Sequence, residues 1–203
     1  MIKENVKKEL DYFHIGDSYG GNQDWFHNPM MHLGGCGAAT ACDSCLYFEL
    51  KKMKNNVYPY ELNKLDKKAY EEFAMMMRPY LRPRWGGIDT LDIYMEGMRR
   101  YLLDRGNLDL TMSGFSGHEA VLYAEKVVKQ QMNHEMPVPY LLLNHKSQKL
   151  KDFHWHWFLL VGYETRSDGL YVKAATYGEA VWLSLRELWN TGYQKKGGMI
   201  LYR

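Results

Sequence analysis

Leu33-Gly34-Gly35-Cys36-Gly37-Ala38-Ala39-Thr40-Ala41-Cys42 is the stretch around which this chain of 203 residues is organised. Two glycines lead into a cysteine, a third follows, and the run of small residues predicts a helix that opens at Cys36. Glycine on both sides of the sulfur predicts room for backbone, or a substrate, to approach it. A helix start brings unpaired N–H groups and partial positive charge, which favour thiolate over thiol. Cys36 is therefore a candidate nucleophile. The same pattern also fits a cysteine buried as a small hydrophobe.

Outward from this stretch, composition sets limits. With 46% hydrophobic residues the chain can build one sizeable core. Lysine and arginine number 26 against 24 acidic residues, a net charge of +2, so no nucleic-acid partner is expected. No stretch is long enough to span a bilayer, and the start, Met-Ile-Lys-Glu-Asn-Val-Lys-Lys-Glu, lacks the apolar core of a signal peptide. Neither a membrane nor a cofactor is expected. Three cysteines, an odd number, predict reduced thiols in a cytoplasmic protein.

Residues 1–22 read as a charged arm with a short apolar patch at Tyr12, Phe13 and Ile15. In Asn22-Gln23-Asp24-Trp25-Phe26-His27-Asn28-Pro29, amides alternate with aromatics, and Pro29 argues for a loop or short strand rather than a continuous helix. The helix after Cys36 carries a buried stripe of Ala38, Ala41, Cys42, Cys45 and Phe48, then ends in the solvated turn Lys51-Lys52-Met53-Lys54-Asn55-Asn56. Apolar spacing predicts helices over 59–80 (Leu62, Leu65, Tyr70, Phe73, Met76) and 89–104 (Leu91, Met95, Met98, Leu102), the second stopped by Gly106. Ser116-Gly117-His118-Glu119 has capping-box spacing and predicts a helix through Val121, Ala124 and Val128.

The pattern changes at Pro137-Val138-Pro139. Strands are predicted over 140–143, 156–163, 170–176, 179–183 and 199–202, with a short helix, Leu185–Trp189, capped by Ser184 and Glu187. Short turns between them imply an antiparallel sheet. The expected fold class is α+β: a mainly helical lobe over 1–136, packed on a mainly antiparallel sheet lobe over 137–203 within one domain, with the site between them.

Strand alternation would put His154 and His156 on one face, with Trp155 and Trp157 on the other. A histidine entering an apolar strand, far along the chain from a helix-start cysteine, is the layout of a Cys–His pair. The imidazole takes the thiol proton, the ion pair holds the sulfur ready, and the imidazolium protonates the leaving group. The alternative is a core histidine bonded to backbone.

Gly35-Cys36-Gly37-Ala38-Ala39, Pro137-Val138-Pro139-Tyr140-Leu141-Leu142-Leu143 and His156-Trp157-Phe158-Leu159-Leu160-Val161-Gly162-Tyr163, in that order, resemble the papain-like cysteine peptidase superfamily. Within it the chain is similar to the bacteriocin-leader-processing branch and its bacterial relatives, over roughly residues 22–190. The resemblance implies a papain-like fold, Cys36 as nucleophile, His156 as general base, and an upstream glutamine that joins the Cys36 N–H in holding the oxyanion. Relatives carry that glutamine closer to the cysteine, where this chain has Met30 and Met31; Gln23 fills the role if an insertion separates the two, with Asn22 and Asn28 as substitutes. Where relatives place an Asn or Asp to orient the imidazole, this chain reads Ala174-Ala175-Thr176-Tyr177-Gly178, leaving Thr176 as a weak acceptor. The implied activity is a cysteine hydrolase, peptidase or amidase, acting on a peptide or another amide or thioester, with Trp25, Trp155 and Trp157 shaping the cleft or filling the core.

Three other readings stay open. A catalytically inactive papain-like module would bind a peptide or glycan. Cys42-Asp43-Ser44-Cys45 has the spacing of a thiol–disulfide oxidoreductase, although it lies more than a turn inside the helix. A metal site drawn from Cys36, Cys42, Cys45 and His32, or from His145, His154 and His156, matches no standard zinc spacing, so no metal is expected.

Overall fold

Residues 6–54 and 56–203 are described in this computed structural model. The first five residues of the expected arm and Asn55 of the basic turn lie outside them. The rest of the arm is not an arm. β1 (Lys7–Glu9) joins the main sheet, and β2 (His14–Ile15) pairs with β3 (Ser18–Tyr19) in a small hairpin.

A 3₁₀ turn over Gln23–Trp25 leads to α1 (Pro29–Gly34), a helix the sequence reading excludes on account of Pro29. Proline at the first helical position gives up only an N–H that no helical carbonyl would accept, so here it starts a helix. The Asn28 side chain completes the start by accepting from the N–H groups of Met30 and Met31, at 3.1 and 3.2 Å.

Only Gly35 separates α1 from α2 (Cys36–Leu50). A Cβ at Gly35 would lie 2.4 Å from the Met31 carbonyl oxygen, so the junction closes only with glycine. Ala38 through Phe48 contains no exposed residue, and α2 is buried all round rather than along one stripe. Its small residues let α3 (Lys67–Met77) and the sheet approach it closely.

Asp66 caps α3, its carboxylate accepting from Ala69 N–H at 2.8 Å, and a separate 3₁₀ turn over Leu62–Lys64 precedes it. The single helix expected over 59–80 is therefore shorter, with Tyr70, Phe73, Ala74 and Met77 inward and Met76 exposed. α4 (Leu91–Asp104) follows its capping Thr90, and Gly106 takes a φ of +71° just beyond it.

β4 (Met112–Ser116) is a strand the sequence reading misses. Its last residue is the serine read as a helix cap. Ser116 Oγ accepts from the His118 N–H at 3.2 Å in a local turn, and α5 (Val121–Asn133) starts only after Ala120. Pairing with the C-terminal strand holds 112–116 extended, and that outweighs the capping-box spacing.

The remaining elements are β5 (Val138–Leu142), β6 (His156–Arg166), β7 (Gly169–Thr176), β8 (Glu179–Ser184), α6 (Leu185–Trp189) and β9 (Gly198–Tyr202). All pair antiparallel in the order β4-β9-β5-β6-β7-β8, and β1 brings the sheet to seven strands. β5 pairs with 156–160 of β6, and β1 takes over at 162–164. The fold is α+β with an antiparallel sheet, and its helical part lends β1 and β4 to that sheet.

β6 reads as an unbroken apolar run because both its faces are covered. Trp157 stacks on Tyr94 of α4 at 4.4 Å between ring centres and donates to the Ile88 carbonyl at 2.6 Å. Phe158, on the other face, stacks on Tyr140, whose hydroxyl reaches the Leu188 carbonyl of α6. No described helix is long and apolar enough to cross a membrane.

The α1–α2 junction predicts a contrast in urea unfolding. Gly35→Ala should lose several kcal/mol or fail to fold, because its Cβ meets backbone. Gly106→Ala, with open space around a positive φ, should lose about 1 kcal/mol.

Candidate functional site

Cys36, the first residue of α2, is half-buried and lines a cleft of about 690 Å³ together with Gln23 and His156, the first residue of β6. The Trp157 backbone N–H acts on the Cys36 sulfur, so the helix start and the strand start meet directly. Adjoining the cleft is a small pocket of about 20 Å³, walled by Cys36, His156, Gln23 and Thr176 among others. All four residues singled out from the sequence thus surround one void.

His156 is almost fully buried. Its Nε2 lies 2.7 Å from Thr176 Oγ1, so the threonine at the end of β7 engages the ring. Tyr177 stacks flat on the imidazole, with ring centres 4.6 Å apart and planes within 3°. Its hydroxyl is 3.4 Å from Nδ1 but lies over the ring, where no lone pair or N–H points; the contact is stacking.

Two aromatic residues with left-handed backbone flank this pair, Trp155 (φ +53°) before His156 and Tyr177 (φ +50°) after Thr176. Each costs about 1 kcal/mol of strain and turns its ring toward the cleft. The bend at Trp155 also corrects the expected alternation. β6 begins at His156, so His154 and Trp155 precede the pleat, yet both still line the cleft.

The insertion between Gln23 and Cys36 is α1. It packs beside Gln23, whose Nε2 donates to the His32 carbonyl at 2.6 Å. Gln23 is 8% exposed, and its Oε1 is buried without a partner. Asn22 and Asn28 are used elsewhere: Asn22 donates to the Tyr177 carbonyl at 3.1 Å, and Asn28 caps α1.

The electrostatics correct the expected ready-made ion pair. Burial pushes the Cys36 thiol up, and the N–H groups of Trp157, Gly37 and Cys36 itself offset this only in part. Burial lowers His156 to about 4. At rest the pair is a neutral thiol beside a neutral imidazole. Nor do the flanking glycines open a path to the sulfur, since Gly35 is closed by Met31 and a Cβ on Gly37 would lie 2.9 Å from Ile88.

Met30, Leu33 and Trp85 stand exposed around the cleft with Trp155, and Arg84 is the charged residue beside them. Of the other tryptophans named from the sequence, Trp157 is buried under the site and Trp25 packs edge-on against Tyr70. Cys42 and Cys45 are free and wholly buried, closed to an exchanging thiol. His145 accepts from the Ser147 N–H through Nδ1 and bonds the Glu187 carbonyl through Nε2. Among the described residues no three His, Cys, Asp or Glu side chains converge as a metal site would require.

Sequence reasoning misses Trp85, Tyr177 and a buried carboxylate, Asp43. Asp43 sits two turns beyond Cys36 on α2 and accepts from Tyr12 (2.6 Å), Tyr70 (2.8 Å) and the Gly21 N–H (3.1 Å). Its signal was a lone acid amid the apolar run from Ala38 to Phe48. Compared with known proteins, the chain matches no family profile and no curated sequence.

These two buried groups predict opposing pH effects on stability. Folding lowers His156 from 6.5 to about 4, so that group makes stability rise with pH across this window. Folding raises Asp43 from 3.8 to about 6, chiefly by burial, so that group makes stability fall as pH rises. Urea unfolding of His156→Gln should therefore show stability falling from pH 4 to pH 6 by on the order of 3 kcal/mol, where the native protein stays nearly level.

Proposed function

We propose that this protein is a papain-like cysteine hydrolase, a peptidase or amidase, that forms an acyl-enzyme on Cys36. One observation carries the reading: Cys36, His156, Gln23 and Thr176 wall a single void, with His156 Nε2 held 2.7 Å from Thr176. Nδ1 is then the base that takes the thiol proton as sulfur attacks an amide or thioester carbonyl in the cleft. Starting from neutral partners, charge develops only as the bond forms. The Cys36 N–H and the second N–H of the Gln23 amide stabilise the oxyanion, the first being engaged by His32. The imidazolium, supported at Nε2 by Thr176, returns its proton to the leaving amine or thiol, and water then releases the acyl group. The apolar rim of Met30, Leu33, Trp85 and Trp155 suits an uncharged group beside the scissile carbonyl.

A second reading, an inactive module that binds a peptide or glycan in the same cleft, draws on Thr176. A neutral hydroxyl supports an imidazolium less well than a carboxylate or carboxamide.

Acid-quenched mass spectrometry separates the two. With acyl thioesters and peptide anilides as probes, an adduct should map to Cys36, vanish in Cys36→Ala, and form about 100-fold more slowly in His156→Gln. Binding of the peptides without any adduct, or acylation indifferent to His156, would overturn the hydrolase in favour of the module. Labelling by iodoacetamide at neutral pH should be slower at Cys36 than at a free cysteine, because the resting thiol is neutral.

A further inference from the structure

The bond from His156 to Thr176 raises a question of where the threonine's own proton goes. If Nε2–H donates to Oγ1, the hydroxyl must donate onward, and Thr176 borders the small pocket beside the cleft. That cavity, at about 20 Å³, is large enough for one water molecule. Two acceptors on its wall have capacity to spare. Gln23 Oε1 is buried without a partner. The Asp43 carboxylate meets three donors, Tyr12, Tyr70 and the Gly21 N–H, and the last is shared between its two oxygens at 3.1 and 3.3 Å, so a further donor can take one of those positions outright.

We propose that the cavity binds a single water, which accepts from the Thr176 hydroxyl and donates to Gln23 Oε1 and to Asp43, making Asp43 the positioning residue for His156. The chain then runs His156 Nε2–H, Thr176 O–H, water, carboxylate. It fixes the imidazole as the Nε2–H tautomer, with the Nδ1 lone pair toward Cys36. It also gives a developing imidazolium a negative terminus that Thr176 alone lacks. The same water satisfies the buried Gln23 oxygen and so sets which way the amide N–H groups point. The carboxylate absent after the histidine strand is supplied by the nucleophile's own helix. The catalytic meaning of this chain rests on the hydrolase reading; the water and the tautomer do not.

A high-resolution crystal structure of the native protein should show the water within hydrogen-bond distance of Thr176 Oγ1, Gln23 Oε1 and Asp43. Nitrogen NMR of the imidazole should show Nε2–H protected from exchange. Thr176→Val should lose both the water and the protection, and Thr176→Ser should restore both. Asp43→Asn should lower kcat for acylation about tenfold with KM unchanged, and adding Thr176→Val should cost no more than the larger single loss. An empty cavity, a water touching one wall only, the Nδ1–H tautomer, or additive losses would overturn the proposal. Should Asp43→Asn fail to fold, the native water and the Val and Ser pair still decide. An ordered water and the Nε2–H tautomer in a protein that never acylates Cys36 would support this site while overturning the hydrolase. Acylation with the cavity dry would do the reverse.

Discussion

The structure depends on the contact between the first turn of α2 and the first residues of β6. There the Cys36 sulfur meets the Trp157 N–H, while the Trp157 ring is clamped between the Ile88 carbonyl and the Tyr94 ring. The clamp is rigid because β6 is paired along both edges and packed on both faces. A helix start and a strand start are thus fixed to one another by core packing, and the residues at those two starts inherit that precision. Neither Cys36 nor His156 needs a loop to position it.

Burial creates this order and also sets its chemistry. The packing that brings Cys36 and His156 to one pocket strips both of water, which pushes the thiol up and the imidazole down toward their uncharged forms. A thiolate–imidazolium pair would hold charge in a site with few donors to spare, whereas a neutral pair separates charge only as a carbonyl oxygen begins to share it. Asp43 is treated differently. It too is buried, but three donors surround it, and they tie the Gly20-Gly21 loop, α2 and α3 to one another.

Much of this was legible in the sequence, for identifiable reasons. β6 is covered on both faces, so its residues 156–163 are almost all apolar. The helix at Cys36 declares itself through consecutive small residues, and α6 through its serine cap. β4 was hidden because Met112-Ser113-Gly114-Phe115-Ser116 has no strand preference of its own and is held by a partner more than eighty residues away. Pro29 misled because the same ring that ends a helix also begins one. The partners of Asp43 could not be read from its place as a lone acid in an apolar run, since the hydroxyls that meet it come from Tyr12 and Tyr70, on separate elements.

One topological detail bears on how the chain comes to be. β9 lies between β4 and β5, and β1 borders β6. β4 is seated, and the second edge of β5 covered, only once β9, more than eighty residues beyond β4, has docked between them. Closing the sheet therefore waits on a contact of long sequence separation, the kind that makes folding slow.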